Sequence, residues 1–148
     1  MTHEGMVHAL REIHRVLTPG GLLADLRPDR RLEGGKRRRD VLAKLRYRRG
    51  QREIPVGVLQ EGSFADDEAA DRAVRRVLRE DLFVLESSET LPFHFYFRDL
   101  ESADDYLTTR ETANVDLPTR RRLEVLTRRP GGEIVLVETL RLNVMRSV

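Results

Sequence analysis

The sequence has no cysteine and no tryptophan, only 5% aromatic residues and four histidines, and Lys36 and Lys44 are the only lysines among its 27 basic side chains. Without cysteine there are no disulfides, no thiolate nucleophile and no Cys-ligated zinc. His3, His8, His14 and His94 are too scattered to suggest a metal cage, so no metal is expected. No run of about 18 apolar residues reads as a membrane helix, and the N-terminus lacks the basic-then-apolar order of a signal peptide. A cytoplasmic protein with no membrane contact is the expectation.

What is present is a chain of 148 residues, 39% of them hydrophobic, with 27 basic against 25 acidic side chains. That length and composition predict a single domain over residues 1–148. The near cancellation of charge implies no large net field. The pI near 9.4 reflects arginine, whose guanidinium stays charged to very high pH.

Met6, Leu10, Ile13 and Leu17 recur at three- and four-residue spacing and predict an amphipathic helix. Thr18-Pro19-Gly20-Gly21 stops it, because proline cannot continue the hydrogen-bond ladder and glycine accepts the left-handed conformation of a helix end. Leu22 to Leu26 then reads as a short strand buried on both faces, the pattern of parallel sheets. Asp29 to Arg39 reads as a basic loop. Alternation through Val41–Tyr47 and Ile54–Val58, broken at Arg49-Gly50, predicts a β-hairpin, with a helix over 37–48 as the competing reading. Asp66, Asp67 and Glu68 open a helix whose stripe is Ala69, Ala70, Ala73, Val74, Val77 and Leu78. Phe83–Leu85 and Phe93–Phe97 read as extended, Leu100–Thr109 and Pro118–Arg129 as helical, and Ile134–Val144 as the closing strand.

Residues 9–21, Ala-Leu-Arg-Glu-Ile-His-Arg-Val-Leu-Thr-Pro-Gly-Gly, resemble the LREIxRVLKPGG segment of class I S-adenosylmethionine-dependent methyltransferases, with Thr18 where lysine is common. In that family the segment forms the helix before the fifth strand of a seven-stranded sheet. The resemblance implies an α/β fold holding part of a Rossmann-like methyltransferase sheet. That sheet is mixed, with antiparallel last strands, an added hairpin and helices packed on it. The family holds its cofactor through a Gly-rich turn and acidic residue that precede this segment, and nothing here matches them. Gly34-Gly35 and Gly131-Gly132 are not substitutes, since neither follows a strand and opens a helix. Met1 reads as an internal start within a longer gene or as the start of a remnant of the second half.

The expectation is therefore a methyltransferase-like protein, partial in this chain, which binds no S-adenosylmethionine alone and transfers methyl groups only if a partner or missing segment completes the site. A non-catalytic homodimeric interaction or ligand-binding module is the second reading. A strand at 22–26 without its family neighbour leaves an apolar edge, so a homodimer or a partner chain is expected to cover it. On the substrate side the candidates are Asp25 and Arg27, at the carboxyl end of that strand, with His94 and Tyr96 as a general base or donor. The blander readings are favoured: Asp25 paired with an arginine, and His94 and Tyr96 covering one face. The third reading is nucleic-acid binding through the basic residues of 27–52, among them Arg27, Arg30, Arg31, Lys36, Arg37, Arg38, Arg39, Lys44, Arg46, Arg48, Arg49 and Arg52. Tyr47 is the one aromatic interleaved there to stack a base, so a solvated basic face is preferred.

Overall fold

The computed structural model describes residues 3–29, 41–61, 65–110 and 113–148. In chain order the elements are α1 (His3–Val16), β1 (Leu22–Pro28), β2 (Val41–Arg49), β3 (Arg52–Glu61), α2 (Ala65–Arg79), β4 (Phe83–Phe97), α3 (Leu100–Thr108), β5 (Ala113–Val115), α4 (Leu117–Thr127) and β6 (Glu133–Ser147). The fold is α/β. Its strands hydrogen-bond in the order β1-β6-β2-β3-β5, with β4 also on β6, in a mostly antiparallel open sheet. The chain divides into two compact units, and β4 and β6 each contribute to both.

The first unit holds α1, β1, α2, the start of β4 and the end of β6. Its core is Val7, Ala73, Val74, Val77, Phe83 and Met145, with Met6, Leu10, Ile13, Leu17 and Leu23 packed against it. The expected apolar stripes of both helices are thus the ones buried. The turn after α1 uses its glycines as the sequence suggests. Gly20 has φ +77°, and Gly21 N–H donates to the Thr18 carbonyl at 2.8 Å. Gly20 N–H also donates to the Ser147 carbonyl (3.0 Å) and Ser147 N–H to the Gly21 carbonyl (2.8 Å), which fastens the turn to the end of β6.

The structure corrects the reading of Leu22–Leu26 as a parallel strand buried on both faces. β1 pairs antiparallel with β6, Leu22 opposite Arg146 through Pro28 opposite Leu140. Its inner residues, Leu23, Asp25 and Arg27, are half-buried, while Leu22 and Leu26 are 54% and 56% exposed and Ala24 is exposed as well. Only one face of β1 is covered, so a run of apolar residues that mimics a central strand here belongs to a half-covered one.

In the second unit β2 and β3 form the expected hairpin. Gly50, first of the two residues between the paired Arg49 and Arg52, has φ +59°, and Gln51 keeps negative φ, the pattern of a type II′ turn. The competing helix is thereby overturned over residues 41–48; residues 37–40 lie outside the described ones. Shifts of register at Val41/Ala43 and Leu45/Arg46 let Leu42 and Ala43 both bury. The core of Leu45, Tyr47, Val56, Leu59, Ile134 and Leu136 receives Ala103 from α3 and Leu123 from α4.

The two extended stretches expected at 83–85 and 93–97 are one strand, β4, continuous through Glu86–Thr90. Nearly all of it is exposed, so polar residues along it carry no penalty and do not mark a break. The short β5, paired with β3, has no counterpart in the sequence reading. Asp99 and Asp116 cap α3 and α4 by accepting from the N–H groups of Ser102 (2.8 Å) and Thr119 (2.7 Å). The side-chain hydrogen bonds of Ser102 and Thr119, and then these N–H bonds, hold both carboxyls below the ordinary carboxylate range. With the folded value lowered, the caps' contribution is present above the unfolded pKa and is lost as pH falls through the lowered one.

Two glycines are required by packing, since their backbones touch side chains. A Cβ on Gly57 would stand 2.1 Å from Thr119 Oγ1, and one on Gly132 would stand 2.0 Å from the Tyr47 hydroxyl. Tyr47 is only 6% exposed. Gly132→Ala is therefore expected to cost about 1–3 kcal/mol by overpacking, read as a lower urea midpoint. The double variant with Tyr47→Phe should recover little of that loss, because the Cβ would also stand 2.3 Å from Cζ of the ring, which phenylalanine keeps.

Candidate functional site

The candidate residues fall in different units: Asp25 and Arg27 in the first, His94 and Tyr96 in the second. Asp25 and Arg27 point to the helix-covered face of β1 and enter a closed polar network. Arg27 Nε donates to Asp25 Oδ1 at 2.7 Å and Nη2 to Oδ2 at 2.8 Å. Asn143 Nδ2, from the paired position on β6, donates to Asp25 Oδ2 at 2.9 Å, and Ser88 Oγ of β4 donates to Asn143 Oδ1 at 2.8 Å.

Arg27 lies opposite Arg141 in the β1–β6 register, a juxtaposition of like charges that is unfavourable on its own. Asp71 of α2 resolves it. Its Oδ1 accepts from Arg27 Nη1 at 3.1 Å and also from Arg141 Nη2. The four ionised side chains are only 11–16% exposed. Two carboxylates thus balance two guanidiniums inside one largely buried cluster, as the burial of charge demands.

The substrate-side candidates of β1 are therefore engaged within the fold: both Asp25 oxygens accept from Arg27 and Asn143, and Arg27 is shared between two carboxylates. Asp29, at the start of the expected loop, is buried, and residues 30–40 lie outside the described ones.

His94 and Tyr96 stand on the exposed side of β4, rings 6.1 Å apart and 12° from parallel. The Arg48 guanidinium lies 4.8 Å over the Tyr96 ring, and Glu133 accepts from Arg48 Nε at 2.6 Å. Of the basic stretch 27–52, Arg27 is therefore internal, Arg46 and Arg48 are paired with Glu53 and Glu133, and residues 30–39 are outside the described ones.

Sequence reasoning missed a second buried cluster. Glu138, 4% exposed on β6, forms an ion pair with Arg110 at 2.8 Å, and Arg110 also donates to the Tyr106 hydroxyl. Burial, then the charge of Glu138, pushes the Tyr106 phenol above its ordinary value. The available signal was the interruption of apolar Ile134 and Leu136 by Glu138 on the same face of one strand. Asn143 and Arg141 carry the same signal two and four residues before buried Met145.

The geometry defines an α/β protein whose buried charged side chains are paired internally, with Arg141 Nε left without a hydrogen-bond partner among the described residues, and whose exposed aromatics gather on one strand. Compared with protein-family models, characterised proteins and solved structures, the chain matches none.

Proposed function

We propose that this chain is a methyltransferase-like half-fold that acts by assembly, its β1 edge joining that of a second copy in a symmetric dimer. The observation that carries the reading is the state of β1. It follows the helix and Pro-Gly-Gly turn that resemble the methyltransferase segment, and among the described residues it pairs with β6 alone. Protein edges are ordinarily guarded by charges, proline or bulges. On β1 such guards are Pro28 at its end and the inward-facing Asp25 and Arg27, while along the rest of the strand Leu22, Ala24 and Leu26 face out and offer an apolar surface. Antiparallel pairing of two such edges about a two-fold axis gives each strand the backbone partner it lacks. β4 pairs with β6, a counterpart to the pairing of the family's last two strands, with the short β5 lying between them in the chain. The matched network at Asp25 and Arg27 favours a module with no methyl transfer of its own.

Size-exclusion chromatography with light scattering is expected to give twice the 17.1 kDa of one chain. Leu26→Lys, which puts a charge on the edge, should shift it to monomer. A wild-type monomer at tens of micromolar refutes the dimer. Calorimetry with S-adenosylmethionine should show no heat, and clear binding by the chain alone overturns its dependence on assembly.

A further inference from the structure

We propose that the groove between β3 and α4 of the second unit binds an alkyl-chain anion, its acidic head on Arg121 and Arg122 and its chain along the apolar walls. The groove exists because β5 pairs with β3 over residues 59–61 alone, which leaves residues 52–58 without an outer strand partner among the described residues. α4 packs beside this stretch instead. Thr119 lies against Gly57, and Leu126 and Ile54 both pack on the unit's core. What remains open is a cavity of about 470 Å³, walled by Ile54, Pro55 and Val56 on one side and by Val125 and Leu126, with the two arginines, on the other. Sites for small molecules span about 300–1,000 Å³ and have this mainly apolar lining with a few polar groups.

Polarity changes along the groove. Arg121 and Arg122 each stand four residues before an apolar lining residue, Val125 and Leu126, so each cation sits one turn N-terminal to an apolar neighbour on the same helix face. Helical side chains lean further toward the N-terminus, which separates the two ends more. Arg122 Nη1 donates to the Val56 carbonyl at 3.4 Å, which holds its guanidinium over the open edge of β3. Its other nitrogens, and all those of Arg121, have no hydrogen-bond partner among the described residues. No acid lines the groove, and the nearby ones are engaged: Asp116 with Thr119, Glu124 with Arg120, and Glu53 with Arg46. At the other end Val125 is 60% exposed, so the apolar wall meets water.

That combination selects the ligand. A small polar anion would leave the apolar wall in water, and a neutral apolar molecule would cover the guanidiniums without offering them an acceptor. A second copy seated through the same groove about a two-fold axis would bring four arginines together. An alkyl-chain anion uses both ends, the head by charge-assisted hydrogen bonds and the chain by covering Ile54, Val125 and Leu126. The site lies wholly in the second unit and β1 in the first, so it stands or falls apart from the dimer.

The test is calorimetry of the full chain with decanoate and, separately, with decyl phosphate, each below its micelle-forming concentration. Saturable binding at one molecule per chain is expected, and the tighter of the two names the acidic head. Decyltrimethylammonium and acetate should give no heat. Lengthening the chain from hexanoate to decanoate should tighten binding by up to ~4-fold per methylene. Arg121→Gln and Arg122→Gln should each weaken decanoate binding ~2- to 5-fold, the range for a partly exposed ion pair. Val125→Glu, which sets a carboxylate one turn from Arg121 on the groove wall, should abolish it. In the nitrogen-15-labelled chain, amide shifts caused by decanoate should cluster at residues 54–56 and 121–126. All three substituted positions are exposed, so melting curves should overlay that of wild type; if Arg122→Gln melts early, Arg121→Gln and Val125→Glu decide the matter. Absence of heat with both anions overturns the proposal. So does equal binding of decyltrimethylammonium, wild-type affinity in Val125→Glu, or amide shifts gathered on β4 instead of the groove.

Discussion

Asp71→Ala is expected to destabilise the protein by about 3–5 kcal/mol, the usual result of removing one partner from a buried ion cluster. The effect is large because this carboxylate has two guanidiniums to neutralise. Arg27 and Arg141 face each other across β1 and β6, and Asp71 is the α2 group that accepts from both. Alanine leaves Arg27 with Asp25 and strips Arg141 of its charge partner among the described residues. The loss should lower the melting temperature by roughly 10 °C for a chain of this length. It should be similar at low and high salt, because groups this buried are weakly screened. Replacing Arg141 by methionine and Asp71 by leucine together should recover much of the stability, since it removes both charges and keeps the volume. A change below about 1 kcal/mol in Asp71→Ala would show that the cluster is hydrated and carries no structural weight.

The second large effect is expected at Phe83. It is 2% exposed, meets the His14 ring edge-on with centroids 5.4 Å apart, and shares its core with Val7, Val77 and Met145. Phe83→Ala should cost about 3–5 kcal/mol in chemical denaturation, combining lost transfer energy with the cavity left behind. Phe83→Leu should cost less than half as much. Both need measurement at one fixed protein concentration, because a dimer adds a mass-action term to apparent stability. If Phe83→Ala unfolds at the wild-type midpoint, Phe83 does not join α1 and α2 to the sheet.

Local sequence carried much of the fold. The hairpin was legible because alternation of period two ran up to Arg49-Gly50 and resumed beyond it. The Pro-Gly-Gly turn was legible because proline and positive-φ glycine act on the chain itself, whatever surrounds them. The stripe Ala69, Ala73, Val74 and Val77 was legible as a helix face for a similar reason: one periodicity matched one buried side.

Where a residue's partner comes from a distant element, the same reading failed. Leu22–Leu26 looked buried on both faces because apolar residues occupy both, but composition does not say whether a second layer exists to cover the outer one. β4 looked like two pieces because Glu86–Thr90 is polar, and only its exposure explains why polarity is harmless there. The pairing of Asp25 with an arginine was expected on general grounds. That its partners are Arg27 and Asn143, and that Asp71 joins Arg27 to Arg141, follows from the register of β1 on β6 and the seating of α2.

By itself the sequence determined the helix, turn and strand of residues 6–27, the hairpin and the second helix, since these follow from backbone chemistry and short-range periodicity. Tertiary structure decided the rest: which face of β1 stays open, which charges cancel, and that Tyr96 lies under Arg48. The physical reason is range. Hydrophobic periodicity and turn chemistry act over a few residues, whereas burial, charge pairing and ring stacking depend on strands that meet only after the chain has closed on itself.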